Sequence, residues 1–213
     1  MFLRAVRAFL LMFVIALMVQ AQQDAIGVLA VNTDATGRAA TISPDPRIVA
    51  RKDFSLKQTY GDVFKILAAE NTCSSFYGGP ALATTVLNKL IVVVQRGQLA
   101  EFVSFQMTGR PRDVSDETTG ASYRIFDKAI VNSEGAFYQR RFDPMQKRPR
   151  NVGSFAPGTR AARSLILMHE LGHLIRGRNG SWLLPDDGSD SWQSKQNTAR
   201  VERACAAQLN ELN

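Results

Sequence analysis

Both histidines of the 213-residue chain, His169 and His173, fall on a single helical segment, and that placement constrains everything else. Thr159 offers an N-cap oxygen, the run Ser164-Leu165-Ile166-Leu167-Met168 and the pair Leu174-Ile175 carry a strongly apolar helical pattern, and Gly177 and Gly180 act as stop signals. The segment therefore reads as one helix ending near Ile175. Residues four apart on such a helix share a face, so the two imidazoles point the same way.

Their separation on that face is about 6 Å, at which two ring nitrogens can reach one small cation. Glu170 sits beside the first histidine and can reach a water next to the cation without itself filling a coordination position. Neutral imidazoles suit this chemistry because they leave the cation's charge largely uncancelled. Gly172 lets another segment or a substrate approach the helix closely, at a helix cost of about 1 kcal/mol relative to alanine.

The segment His169-Glu170-Leu171-Gly172-His173 resembles the zinc-binding helix of the zincin metallopeptidases. The resemblance implies His169 and His173 as zinc ligands, Glu170 as general base, a peptide or protein substrate, and a sheet preceding the helix whose edge holds substrate in extended form. Metzincins continue the motif with a glycine and a third histidine, whereas Arg176 and Asn179 stand at the matching positions, so that subfamily is excluded. Gluzincins add a glutamate from a later helix, for which Glu202 is better placed than Glu211, and aspzincins add an aspartate.

The loop Leu183-Leu184-Pro185-Asp186-Asp187-Gly188-Ser189-Asp190 offers three aspartates. Asp187 is the first choice for the third ligand: Pro185 stiffens its approach, Gly188 permits a sharp turn, and Leu183, Leu184 and Trp182 can seat the loop on the helix. Asp190 and Glu202 follow, and a solvated acidic turn accounts for the same aspartates without any metal. A different class of protein fits the same residues: a non-catalytic exported chain with a structural zinc, or a degenerate zincin fold, serving a binding or envelope role.

The N-terminus places Arg4 and Arg7 before an apolar run over residues 8–19 and small residues up to Ala21, the pattern of a secretory signal cut after Ala21. The run is too short for the roughly 18 to 20 apolar residues that span a bilayer, so the expected location is secreted or periplasmic, with no stable membrane span. In an oxidising compartment Cys73 and Cys205, the two cysteines, are expected to pair. The formal charge of +7 includes both leader arginines. The basic cluster at Arg140, Arg141, Lys147, Arg148 and Arg150 holds a single aromatic, Phe142, and not the repeated interleaving of aromatic and basic residues of a nucleic-acid reader, which argues against a nucleic-acid partner.

The expected organisation is a signal peptide over 1–21, a loosely ordered lead-in over 22–52, and a zincin-like domain over 53–213. Its fold class is α+β: a small, mostly antiparallel sheet packed with the histidine helix and a C-terminal helix. Apolar spacing predicts helices over 58–70, 81–90 and 194–212, the last with Val201, Cys205, Leu209 and Leu212 on one stripe. Strands are expected over 91–94, 101–107, 123–126, 129–132 and 136–142, with a hairpin turn at Asn132-Ser133-Glu134-Gly135. Tyr123, Tyr138 and Arg160 could stabilise an oxyanion but read as packing or surface residues. No glycine-rich phosphate loop or Ser-His-Asp arrangement is present.

Overall fold

A turn of helix, α1 (Pro46–Val49), opens the computed structural model, which describes residues 42–49, 52–100, 103–116, 120–139, 150–177, 179–188 and 190–213. The expected signal peptide and all of the basic cluster except Arg150 lie outside those residues. Ile48 is fully buried, so the expected lead-in overlaps the folded unit at its end.

Helix α2 (Phe54–Ala68) starts where the Asp53 carboxylate accepts from the Leu56 amide, and it buries Leu56, Tyr60, Val63, Phe64 and Leu67 at helical spacing. The short α3 (Thr72–Phe76) begins in a reciprocal cap between Asn71 and Ser74. Pro80 opens α4 (Pro80–Val93) directly after Gly79, whose φ of 98° only glycine adopts readily.

The sequence 91–94 was expected as a strand, but Ile91 and its neighbours continue α4, because Ile91 packs into the core from the helix face. The strand β1 (Val94–Gly97) begins only there. It is followed by β2 (Phe105–Thr108), the hairpin β3 (Arg112–Ser115) and β4 (Ser122–Ile125), and β5 (Lys128–Asn132). In the three-stranded sheet, order β1-β5-β2, β5 pairs in parallel with β1 and antiparallel with β2, so this sheet is mixed. The 136–142 strand is a correction: Ala136, Phe137 and Tyr138 lie in consecutive turns, with Phe137 fully buried, and 140–142 fall outside the described residues. Asn132 to Gly135 does turn, but the turn closes no hairpin.

Helix α5 (Arg160–Leu174) carries both histidines and is capped as expected by Thr159, whose side chain accepts from the Ala162 amide at 3.2 Å. Of its fifteen residues all are buried but Arg160, which is exposed, and Glu170, which is half-buried, and this makes it the central helix, with α2, α4, β4 and the later helices packed around it. It ends because Ile175 turns extended and bridges Tyr123, while Gly177 and Gly180 shape the turn beyond.

The expected C-terminal helix breaks at Cys205 into α6 (Ser191–Ala204) and α7 (Ala206–Asn210). Cys73 and Cys205 form a disulfide across 132 positions, with Cα atoms 4.4 Å apart. Closing so long a loop stabilises the fold by up to about 4 to 5 kcal/mol in the chain-entropy picture. The chain is thus α+β, with a small mixed sheet and a separate hairpin. Among the described residues no helix is long and apolar enough to cross a membrane.

Candidate metal centre

The last four carbonyls of any helix lack intrahelical partners, and at the end of α5 two of them are met by specific groups. The Gly172 carbonyl accepts from the Leu184 amide at 3.1 Å, and the His173 carbonyl accepts from Arg124 Nε at 2.9 Å. Two residues further, just past the helix end, the Ile175 carbonyl accepts from the Leu183 amide at 2.8 Å. The loop that follows α5 is therefore folded back onto the helix through its own backbone, as the apolar Leu183 and Leu184 suggested. Pro185 is held from the other side, where its carbonyl accepts from Asn197 of α6 at 2.9 Å.

This docking carries Asp187 over the histidines. Its Oδ2 lies 3.0 Å from His169 Nε2 and its Oδ1 3.6 Å from His173 Nε2, while the two Nε2 atoms are 3.0 Å apart. Zinc bound at about 2.0–2.1 Å with tetrahedral angles needs ligand atoms roughly 3.3 Å apart, and the contacts of 3.0, 3.0 and 3.6 Å among the two rings and the two carboxylate oxygens lie on either side of that spacing. Two ring nitrogens and two carboxylate oxygens at these distances repel one another unless positive charge, as protons or a metal ion, lies among them. His169, His173 and Asp187 together are a group that could hold a metal ion, and both rings are nearly excluded from solvent, at 6% and 4% exposure.

The electrostatics follow from that closeness. Burial works against the charge on Asp187, but hydrogen bonds from His169 and His173 overcome it and hold the carboxyl well below the usual carboxylate range. For His173, burial opposes the charged ring, yet the Asp187 hydrogen bond and the negative charges of Glu170 and Asp187 raise its pKa overall. Burial pushes the Glu170 carboxyl up, against the opposing pull of the two histidines.

Outside this group, His169 Nδ1 lies 3.0 Å from Thr198 Oγ1 on α6. A proton on Nδ1 donated to that hydroxyl leaves Nε2 as a bare lone pair facing Asp187 and His173, the tautomer a metal ligand needs. The matching Nδ1 of His173 is buried with no hydrogen-bond partner among the described residues.

The other candidates are used elsewhere. Asp190 caps α6, accepting from the Trp192 and Gln193 amides at 2.9 and 3.2 Å. Glu202 accepts from the Ser154 amide at 3.2 Å and from its hydroxyl. Tyr138 donates to Asp53 at 2.6 Å, Arg160 pairs with Asp62 at 2.6 Å, and Tyr123 sits on β4 beside Ile175, so these three are structural. Sequence reasoning missed Thr198 and Arg124, which no local pattern distinguishes from an ordinary helix threonine and a strand arginine.

Comparison with known protein families, with curated proteins and with solved structures finds no match for the chain. The centre is therefore read from its own residues.

Proposed function

We propose that the chain is an exported zinc-dependent metallopeptidase of zincin type, with His169, His173 and Asp187 holding the ion and Glu170 acting as general base. The observation that carries this reading is the convergence of two Nε2 atoms, 3.0 Å apart, on one carboxylate whose two oxygens lie 3.0 and 3.6 Å from them, with a second carboxylate adjacent. Bound there, zinc would supply Lewis acidity to a peptide carbonyl and lower the pKa of a nearby water to about 7. Glu170 would take the proton from the attacking water and return it to the leaving amine nitrogen. Thr198 would keep His169 in the coordinating tautomer. Export draws support from the Cys73–Cys205 disulfide, since such bonds persist in oxidising compartments.

A second reading has its own support: the ring nitrogens are so buried that the same residues suit a structural zinc in a non-catalytic protein. Two measurements test these, the first asking whether zinc is held at all and the second separating the two readings. Metal analysis of the purified protein is expected to give about one zinc per chain, lost in His169→Ala. A metal-free protein unaffected by chelator would remove both readings. With zinc bound, Glu170→Gln is expected to keep the ion and lose cleavage of a peptide library by about 100-fold or more. A wild type inert against that library would leave the structural reading standing alone.

A further inference from the structure

The loop bearing the third ligand is gripped by a residue more than sixty positions earlier, which neither the metal nor the hydrolytic reading requires. Arg124, on β4, is 8% exposed. Its Nε donates to the His173 carbonyl at 2.9 Å, its Nη1 to Asp186 Oδ2 at 3.3 Å, and its Nη2 to Asp186 Oδ1. The same guanidinium lies 4.3 Å from the centre of the Trp182 ring, which also receives Arg176 at 4.1 Å.

Each contact falls on the coordinating apparatus. His173 is the second ligand, and its carbonyl belongs to the negative end of α5, where a cation is favourable. Asp186 precedes Asp187 in the chain. Trp182 lies in the loop that carries Asp187, bridged to Arg176 directly after α5. A guanidinium is rigid and planar, so donors on two of its edges fix the separation of what they hold. Here they hold the backbone of one ligand and the neighbour of another.

We infer that Arg124 is a positioning residue for the centre: with one guanidinium it joins the His173 carbonyl to Asp186 and thereby sets Asp187 at coordinating distance from both imidazoles. This inference rests on the metal reading above. Lysine keeps the charge but is a point donor with no fork and no flat face, so it cannot hold both partners in register.

The test is metal binding by the full chain, using zinc in competition with a chromophoric chelator and cobalt(II) absorption as a report on coordination. Arg124→Lys is expected to weaken zinc binding about 10- to 100-fold, the usual effect of removing an outer partner, and to alter the cobalt(II) spectrum. A change that merely loosened the fold would lower the folded fraction but leave the spectrum of the loaded protein as in the wild type. Because Arg124 is buried, Asp186→Asn serves as the second variant: that side chain is 67% exposed, and the change removes the charge and one of the two acceptors of the grip without touching the core. It is expected to shift affinity and spectrum in the same direction by a smaller factor. Asp113→Asn, which removes an equal charge from the exposed pair with Arg176, is the control and is expected to leave both unchanged. Unchanged binding and spectrum in Asp186→Asn, or an equal loss in Asp113→Asn, overturns the inference while the metal reading stands. A wild type that binds neither metal defeats the metal reading itself, and this one with it.

Discussion

Leu184 rests on Gly172 so closely that a Cβ added to the glycine would stand 2.5 Å from Leu184 Cδ1 and 2.7 Å from its Cγ. The space an alanine would need is the space the Asp187 loop uses to reach the histidines. Gly172→Ala gains about 1 kcal/mol of helix propensity, but the overpacking it forces costs about 1 to 3 kcal/mol. The expected net result is a protein of equal or lower stability in urea, with zinc binding weakened because Leu184 must shift and carry Asp187 with it. Stability raised with zinc affinity intact would show that the loop docks elsewhere.

Substitution at the three acidic candidates is expected to separate them cleanly. Asp187→Asn removes a carboxylate from the centre and should weaken zinc binding by at least the roughly 10- to 100-fold that loss of an outer partner produces. Asp190→Asn keeps a good N-cap for α6, and Glu202→Gln keeps an acceptor for Ser154, so both should retain one zinc per chain by metal analysis. Zinc lost from Glu202→Gln and kept by Asp187→Asn would reverse the assignment.

The disulfide holds α3 against the junction of α6 and α7, and Cys73 Sγ lies 3.7 Å from Met168 Sδ, the residue before His169. Replacing both cysteines with serine is expected to lower stability by about 2 to 5 kcal/mol in chemical denaturation. Identical denaturation midpoints with and without reductant in the wild type would contradict this.

All four tyrosines, Tyr60, Tyr77, Tyr123 and Tyr138, are pushed above the ordinary phenol value, in each case chiefly by burial. Tyr77 is fully buried and donates to the Met168 carbonyl at 2.7 Å. A group whose folded pKa is raised contributes stability that is whole below its unfolded value, about 10 for tyrosine, and is lost as pH rises past it. Tyrosinate absorbance is therefore expected to stay low at pH 10 in the folded protein and to appear together with alkaline unfolding. Ionisation of two or more tyrosines near pH 10 with the circular dichroism unchanged would refute the burial.

Much of the helical framework was legible because its signals are local. Thr159 caps α5 through an oxygen three residues from its donor, and Pro80 opens α4 by its own ring geometry. The strands were harder. Ile91 to Val94 is β-branched enough to suit a sheet, but burial of Ile91 against the other helices keeps it in α4. The aromatic run from Phe137 is buried by turns rather than by strand pairing, which a two-residue alternation cannot distinguish.

The same division runs through the centre. That His169, Glu170 and His173 share one helix follows from the sequence alone, because a four-residue spacing and the α-helical turn put two rings on one face whatever surrounds them. Cys73 had a single partner to take. Which carboxylate closes on the rings was decided only by tertiary structure. Asp187, Asp190 and Glu202 are chemically alike, and their fates depend on Leu184 reaching Gly172, on Arg124 reaching Asp186 from β4, and on the start of α6 capturing Asp190. Those contacts join residues distant in the chain, and no short-range pattern encodes the closure of a loop.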